Sequence, residues 1–348
     1  MDVMNKAVLI IEKNKQDLAQ KIIENHFTGN QVDWIELPGR YREKYLQDSL
    51  YNLTFLISSI KFNNKEAFLN YMSWLAQLMK NLEVSLSDML HHFQSMKTVL
   101  QSEINPEAQK ELLSYINEGV AVFETTYRED QAVVKNTYSE EVENFTDLIL
   151  NFKRDKAASY VIEKVENGSD IKEIYINLLQ PTLVKVGDLW YSQKISVAKE
   201  HYASSVIQNI IGLLYPYLFK DYKTSGKVFI GACGNEELHE IGLRMVADFF
   251  EMDGWDTYYL GSNLPIEYIV EEVKEKSPDV LGISTTTIVN LDYTRNLIEI
   301  LRKDFSVDDL KIMVGGKVYH EDELLYQKVG ADAFAKDAAH ALEIAAEW

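Results

Sequence analysis

Two short strings carry side chains that can do chemistry. The first holds Trp190, Val197 and the adjacent pair Glu200–His201. The second is Glu237-x-His239-x-x-Gly242, a few residues after the apolar run Val228–Phe229–Ile230. A neutral imidazole is a good ligand for cobalt, iron or zinc. Glu237, two residues before His239, can accept the other ring N–H, which fixes the tautomer and raises ligand basicity. Gly242 has no side chain and would let the following helix approach closely. Taken alone, the loop also reads as a helix-capping turn with a surface histidine. Trp190 offers a flat apolar face and Glu200 an acceptor for hydroxyls. Val197, Glu200 and His201 stand at i, i+3 and i+4, so they share one helix face. A flat metal-bearing cofactor held between the two strings would explain both.

Those side chains need elements to hold them. Over 226–348 short apolar runs alternate with helical stretches. Strands are expected at 227–232, 256–260, 279–284, 311–314 and 332–335, with helices at 240–252, 265–276, 290–303, 321–328 and 338–347. Five β-α units imply an α/β, flavodoxin-like (Rossmann-type) parallel five-stranded sheet, with ligands at the carboxyl ends of the strands. His239 follows strand one there. Gly261–Ser262–Asn263–Leu264–Pro265 follows strand two, Ser284 and Thr285 with Thr286 and Thr287 follow strand three, and Gly315–Gly316 follows strand four. Small and hydroxylated residues at three successive strand ends leave a slot for an extended group and hydrogen bonds to line it.

Upstream, 137–222 reads as a four-helix bundle, with helices at 139–151, 153–166, 171–189 and 196–220. Asn167–Gly168 closes one helix and Asp170 opens the next. Residues 1–135 read as an all-α N-terminal region. Leu18, Ile22 and Ile23, and Phe68, Met72, Leu75 and Met79, recur at helical spacing. Breaks are expected at Leu37–Pro38–Gly39 and Asn63–Asn64, and a new helix at Asn105–Pro106–Glu107.

Composition narrows the function classes. The 348 residues suffice for two or three domains, and 46% are hydrophobic, so the chain is globular. A net charge of −19 disfavours a nucleic-acid surface, which needs clustered Lys and Arg. The single cysteine, Cys233, excludes an internal disulfide and a cysteine-rich metal site. That usage suits a reducing cytoplasm, and charges break the apolar stretch near the N-terminus, so no membrane segment is expected there.

The string Glu237-x-His239-x-x-Gly242, then Ser262-x-Leu264, then Gly315–Gly316, resembles the cobalamin (B12)-binding domain of methionine synthase and its relatives. Those proteins have aspartate at the Glu237 position, and glutamate is one methylene longer. The resemblance implies that His239 replaces the cofactor's benzimidazole as lower axial ligand of cobalt. It implies that Ser262 contacts the displaced nucleotide tail, which reaches toward Gly315–Gly316. The bundle segment is similar to that of the adenosylcobalamin photoreceptors related to the light-sensing repressor CarH. In them a Trp, nine residues, then Glu-His marks the pocket for the 5′-deoxyadenosyl group, here Trp190, Val197, Glu200 and His201. They have a histidine directly after the Trp, where this chain has Tyr191, a poor cobalt ligand at neutral pH. They carry an N-terminal MerR-type DNA-binding domain that residues 1–135 do not show. That region is faintly similar to the helical, globin-like domains of RsbR-type stress-signalling proteins. There His91 is a candidate haem ligand, against the commoner outcome of a paired surface histidine.

The expectation from this resemblance is a light sensor and not an enzyme. Adenosylcobalamin would be its chromophore, Co–C photolysis its input, and altered bundle packing or assembly its signal to a protein partner. A homo-oligomer is compatible with it; direct nucleic-acid or membrane contact is not expected. The alternative is a corrinoid carrier of a methyltransferase system, holding methylcobalamin and exposing the upper face to partner enzymes.

Overall fold

Apolar residues at helical spacing build the N-terminal region as six helices among the described residues. They are α1 (Val3–Lys13), α2 (Lys15–Phe27), α3 (Gly39–Lys61), α4 (Lys65–Asn81), α5 (Leu86–Glu103) and α6 (Pro106–Arg128). The breaks carry their own chemistry. Pro38 stands in extended conformation immediately before α3. Asn64, Ser85 and Asn105 each accept a hydrogen bond from a backbone N–H in the first turn that follows them. Leu18, Ile22, Ile23, Phe68, Met72, Leu75 and Met79 are all buried. In the computed structural model the described residues are 3–28, 34–129, 137–218 and 224–348. The chain divides into the units Met1–Ala132 and Val133–Trp348.

His92 departs from a surface pair, whereas His91 stays exposed. His92 is 7% exposed, with Nε2 3.3 Å from Asn52 Nδ2. The His91 Nε2 lies 3.0 Å from the carbonyl oxygen of His26. Both rings stand within 6 Å of the His26 ring, at 5.0 and 5.7 Å between centroids. The Nε2 of each ring is engaged within the helical unit, which for His91 argues against that nitrogen as a haem ligand.

The second unit opens with the bundle. Its helices are α7 (Glu140–Leu150), α8 (Arg154–Glu166), α9 (Ile171–Ile174) running through a π turn (Tyr175–Leu179) into α10 (Gln180–Tyr191), and α11 (Val197–Leu214). The π turn was not foreseen. Pro181 has no N–H to continue the regular ladder, and the Gln180 N–H reaches back to the Tyr175 carbonyl. The helix expected to reach 220 stops at Leu214, followed by a 3₁₀ turn at Tyr215–Tyr217 that contains Pro216; residues 219–223 lie outside the described set.

The sheet follows, with β1 (Val228–Gly234), α12 (Ile241–Met252), β2 (Asp256–Leu264), α13 (Ile266–Lys276), β3 (Val280–Ser284), α14 (Leu291–Leu301), β4 (Lys311–Gly315), α15 (Lys317–Glu321), α16 (Leu325–Val329), β5 (Ala333–Phe334) and α17 (Ala338–Ala346). The order is β2-β1-β3-β4-β5 and every pairing is parallel. This is the flavodoxin-like α/β sheet expected, preceded by helices. Two details differ. β1 and β2 run further than expected, so Cys233–Gly234 and Gly261–Leu264 are strand rather than loop. The single helix expected at 321–328 is two, because Asp322 is extended and its carboxylate accepts the Leu324 N–H.

Bundle and sheet share one apolar core. Met245 and Phe249 of α12 and Ala338 of α17 are buried with Tyr175, Leu178, Ile207 and Ile210 of the bundle. A polar link crosses the same contact. The Tyr175 hydroxyl donates to Asp248 at 2.9 Å, and Arg244 Nε donates to the other oxygen of that carboxylate at 3.0 Å. The bundle is thereby fixed against α12 and α17.

Candidate functional site

The site forms where β1 gives way to α12. Glu237 is 1% exposed, yet all of its carboxylate capacity is used. Oε1 accepts from His239 Nδ1 at 2.6 Å and from the His239 backbone N–H at 3.1 Å. Oε2 accepts from the Thr286 N–H at 2.6 Å and from Asn290 Nδ2 at 3.3 Å. The longer glutamate therefore reaches across to the end of β3 and still holds the imidazole. The loop itself is pinned, since the Asn263 N–H donates to the Glu237 carbonyl at 3.2 Å and the Glu236 N–H to the Asn263 side chain at 3.0 Å.

This arrangement decides which nitrogen of His239 is available. With Nδ1–H committed to Glu237, the lone pair is on Nε2. The His239 side chain is 68% exposed while that of Glu237 is 2% exposed, so the ring projects outward from a buried anchor. The electrostatics agree. The hydrogen bond to Glu237 raises His239 above the usual imidazole range, and the Glu200 carboxylate on α11 adds to this. Burial alone pushes the Glu237 acid up, but the hydrogen bonds from His239 and Thr286 outweigh it and hold the carboxyl below its usual range.

The other expected residues divide into three sets. Ser262, Leu264, Ser284, Thr285, Gly315 and Gly316 lie at neighbouring strand ends. Leu264 pairs with Gly234, Cys233 with Ser284, and Ser284 with Gly315. Gly316 has φ of +110°, and a Cβ there would stand 2.2 Å from the Thr285 carbonyl oxygen, so only glycine fits that approach. Thr285 is buried, its hydroxyl 2.7 Å from that of Thr294.

The second set is on the bundle. Glu200 and Val197 are in the first turn of α11. Glu200 is close enough to His239 to act on its proton affinity, and Gln208 further along α11 donates to Glu240 at 3.1 Å. Trp190 is half-buried against the bundle core, Val197 is 52% exposed, and the His201 Nδ1 lies 2.5 Å from Glu200 Oε2. The Glu200 carboxylate also accepts from Ser204 at 2.8 Å.

Gly242 is the third case, and it corrects the expectation. No atom lies within 4 Å of where its Cβ would be, so close helix packing is not its reason. Sequence reasoning also missed Asn290. The signal was present in Thr286–Thr287–Ile288–Val289–Asn290, a polar residue one turn beyond the end of β3, but nothing in the spacing linked it to Glu237.

A metal or cofactor can be tested against this donor set. Among the described residues no group of three or more His, Cys, Asp or Glu is placed to hold a metal ion. His239 offers one outward nitrogen. One imidazole suits a metal whose remaining ligands arrive with it, as in a macrocycle, and small residues at the strand ends border the path an appended tail would take. The residues fit a corrinoid.

Comparison with known proteins agrees. Residues 227–346 match a family model described as B12 binding domain, and residues 141–215 match a second model with the same description. The chain is 26% identical over 212 residues to dimethylamine corrinoid protein 2 of Methanosarcina mazei, covering 61% of this chain and 98% of that protein. It is 27% identical over 198 residues to trimethylamine corrinoid protein 1 of Methanosarcina acetivorans, covering 55% of this chain and 89% of that protein. The Methanosarcina barkeri monomethylamine corrinoid protein is similar in structure, with a TM-score of 0.54 and 25% identity over 60% of this chain and 98% of that one. These relatives are corrinoid proteins named for methylamines rather than photoreceptors, so they support the carrier alternative better than the light-sensor expectation. Residues 141–215 and 227–346 are thus similar to a helical and an α/β B12 binding domain.

Proposed function

We propose that this protein is a corrinoid carrier for methyl transfer, with His239 as the lower axial ligand of cobalt. The observation that carries the reading is the inverted burial of the pair, a sealed Glu237 carboxylate holding an outward His239. A bound corrinoid would supply a cobalt centre able to accept and release a methyl group. The protein's part is to bind and orient. Glu237 keeps the proton on Nδ1 and the lone pair on Nε2. Thr286 and Asn290 fix the carboxylate so that the ring does not wander. Ser262 and the Gly315–Gly316 approach would hold the nucleotide tail. Trp190, Val197, Glu200 and His201 would border the opposite, reactive face, which partner methyltransferases would have to reach. Methylcobalamin is the form this reading favours, following the relatives named for methylamines.

The test separates ligation from retention. Full-length apoprotein is loaded with cobinamide, which has no benzimidazole of its own, and reduced to the cobalt(II) state. Electron paramagnetic resonance should show coupling to one nitrogen, and His239→Ala should lose it. Nitrogen coupling that survives in His239→Ala sinks the assignment. Affinities for methylcobalamin and adenosylcobalamin, in the dark and after green illumination, then decide the upper face. A strong adenosylcobalamin preference with a light-driven change in mass or shape would return the light-sensor reading.

A further inference from the structure

The carboxyl ends of four strands form one line, Leu264 of β2 beside Gly234 of β1, Cys233 of β1 beside Ser284 of β3, and Ser284 beside Gly315 of β4. An extended group running from Ser262 to Gly315–Gly316 must cross the end of β1. That crossing is filled by a side chain. The ring of Tyr293, in the first turn of α14, lies so close that a Cβ on Gly234 would stand 2.4 Å from its Cδ1 and 2.5 Å from its Cε1. The Tyr293 hydroxyl donates to the Leu264 carbonyl, tying α14 to the end of β2. Burial pushes that phenol up to about 12, so it stays a donor at neutral pH. The side chain is only half-buried, unlike its neighbours Leu291 and Thr294. The bond to the Leu264 carbonyl, a backbone hydrogen bond from Asn235 and a partly solvated ring hold it across the line.

We propose that Tyr293 is the gate of the tail slot. Its ring swings off Gly234 when a corrinoid bearing a nucleotide tail enters, and it thereby makes uptake sensitive to the tail. This rests on the corrinoid reading above. Gly234 is the counterpart of the gate, because any side chain there would exclude the ring. A tail-less corrinoid reaches His239 without crossing the end of β1 and is indifferent to Tyr293.

The experiment uses full-length apoprotein and two probes, aquocobalamin with its tail and diaquocobinamide without one. Association is followed by the absorption change on His239 ligation. Tyr293→Phe keeps the ring and removes the bond to Leu264. Aquocobalamin should associate about two- to tenfold faster, the size of one neutral hydrogen bond, and cobinamide at an unchanged rate. A ratio of the two rates that is unchanged or lower in Tyr293→Phe overturns the gate. If neither probe binds the parent protein, the corrinoid reading falls and the gate with it. If cobinamide binds but aquocobalamin binds neither parent nor variant, the corrinoid reading stands and the gate falls.

Discussion

Two histidine settings in this molecule use the same partners in opposite order. In the N-terminal unit His26 is 2% exposed, and its Nε2 lies 3.3 Å from Asp88, whose side chain is 42% exposed. In the C-terminal unit the carboxylate is the sealed partner, Glu237 at 2%, and the imidazole is the open one, His239 at 68%. Burying the ring commits it to the interior; His92 beside it is pushed down to about 4, first by burial and then by the His26 charge. Burying the carboxylate commits the near nitrogen and leaves the far one for something outside the chain. Both settings pair an imidazole with a carboxylate, Asp88 in one and Glu237 in the other. On the proposed reading, the order of burial is what separates a structural histidine from a ligand.

The comparison can be broken first at the backbone of the open site. Gly316→Val would force a branched side chain onto φ of +110° and onto the Thr285 carbonyl. The expected loss is at least about 3 kcal/mol in the stability of the C-terminal unit. Hydrogen exchange of α3–α5 amides in the same sample should not change. Equal loss of protection in both units would show that they do not behave separately.

Next comes the pH response of the closed site. The folded pKa of His92, about 4, lies below the unfolded value of 6.5. The unfolded chain therefore binds more protons between those values. The stabilisation is complete above pH 6.5 and is lost as pH falls toward 4. A shift of this size corresponds to about 3 kcal/mol. Urea unfolding of the N-terminal unit across that window should show it, and His92→Gln should flatten the slope. A slope unchanged by the substitution would mean that another group titrates.

Glu237→Gln is a smaller change at the open site. Glutamine can still accept from Nδ1–H but no longer raises the basicity of the ring. Corrinoid affinity should fall about ten- to a hundredfold. Since Glu237 raises the His239 pKa, the pH below which protonation competes with ligation should also move down in the variant. An upward move would show that the carboxylate does not act through His239. The smallest effect is expected for His91→Ala, which removes one hydrogen bond to the His26 carbonyl and should cost about 1 kcal/mol of N-terminal stability. Corrinoid binding should be unaltered; a change there would tie the two histidine settings together.

The site was legible where type and spacing were enough. Glu237 and His239 are two apart in the chain, so their pairing follows from local geometry. Asn290 was not legible, because it meets Glu237 only after α12, β2, α13 and β3 have brought the end of β3 beside that of β1. Tyr293 was hidden for the same reason, as it meets Gly234 and Leu264 through strand order and not through sequence distance. The π turn escaped because helical periodicity is nearly the same on both sides of it, and Pro181 at a helix start is ordinary.

By itself the sequence determined the alternation of apolar runs and helices that makes a parallel sheet, several breaks between the N-terminal helices, and the candidate ligand with the acid that holds its other nitrogen. These depend on contacts within a few residues, where side-chain period and hydrogen-bonding reach are set by covalent geometry. Tertiary structure decided which histidines are available, what anchors Glu237, and what lies across the slot. Each of those depends on which groups the folded chain removes from water, and burial is a property of the whole core rather than of any one segment.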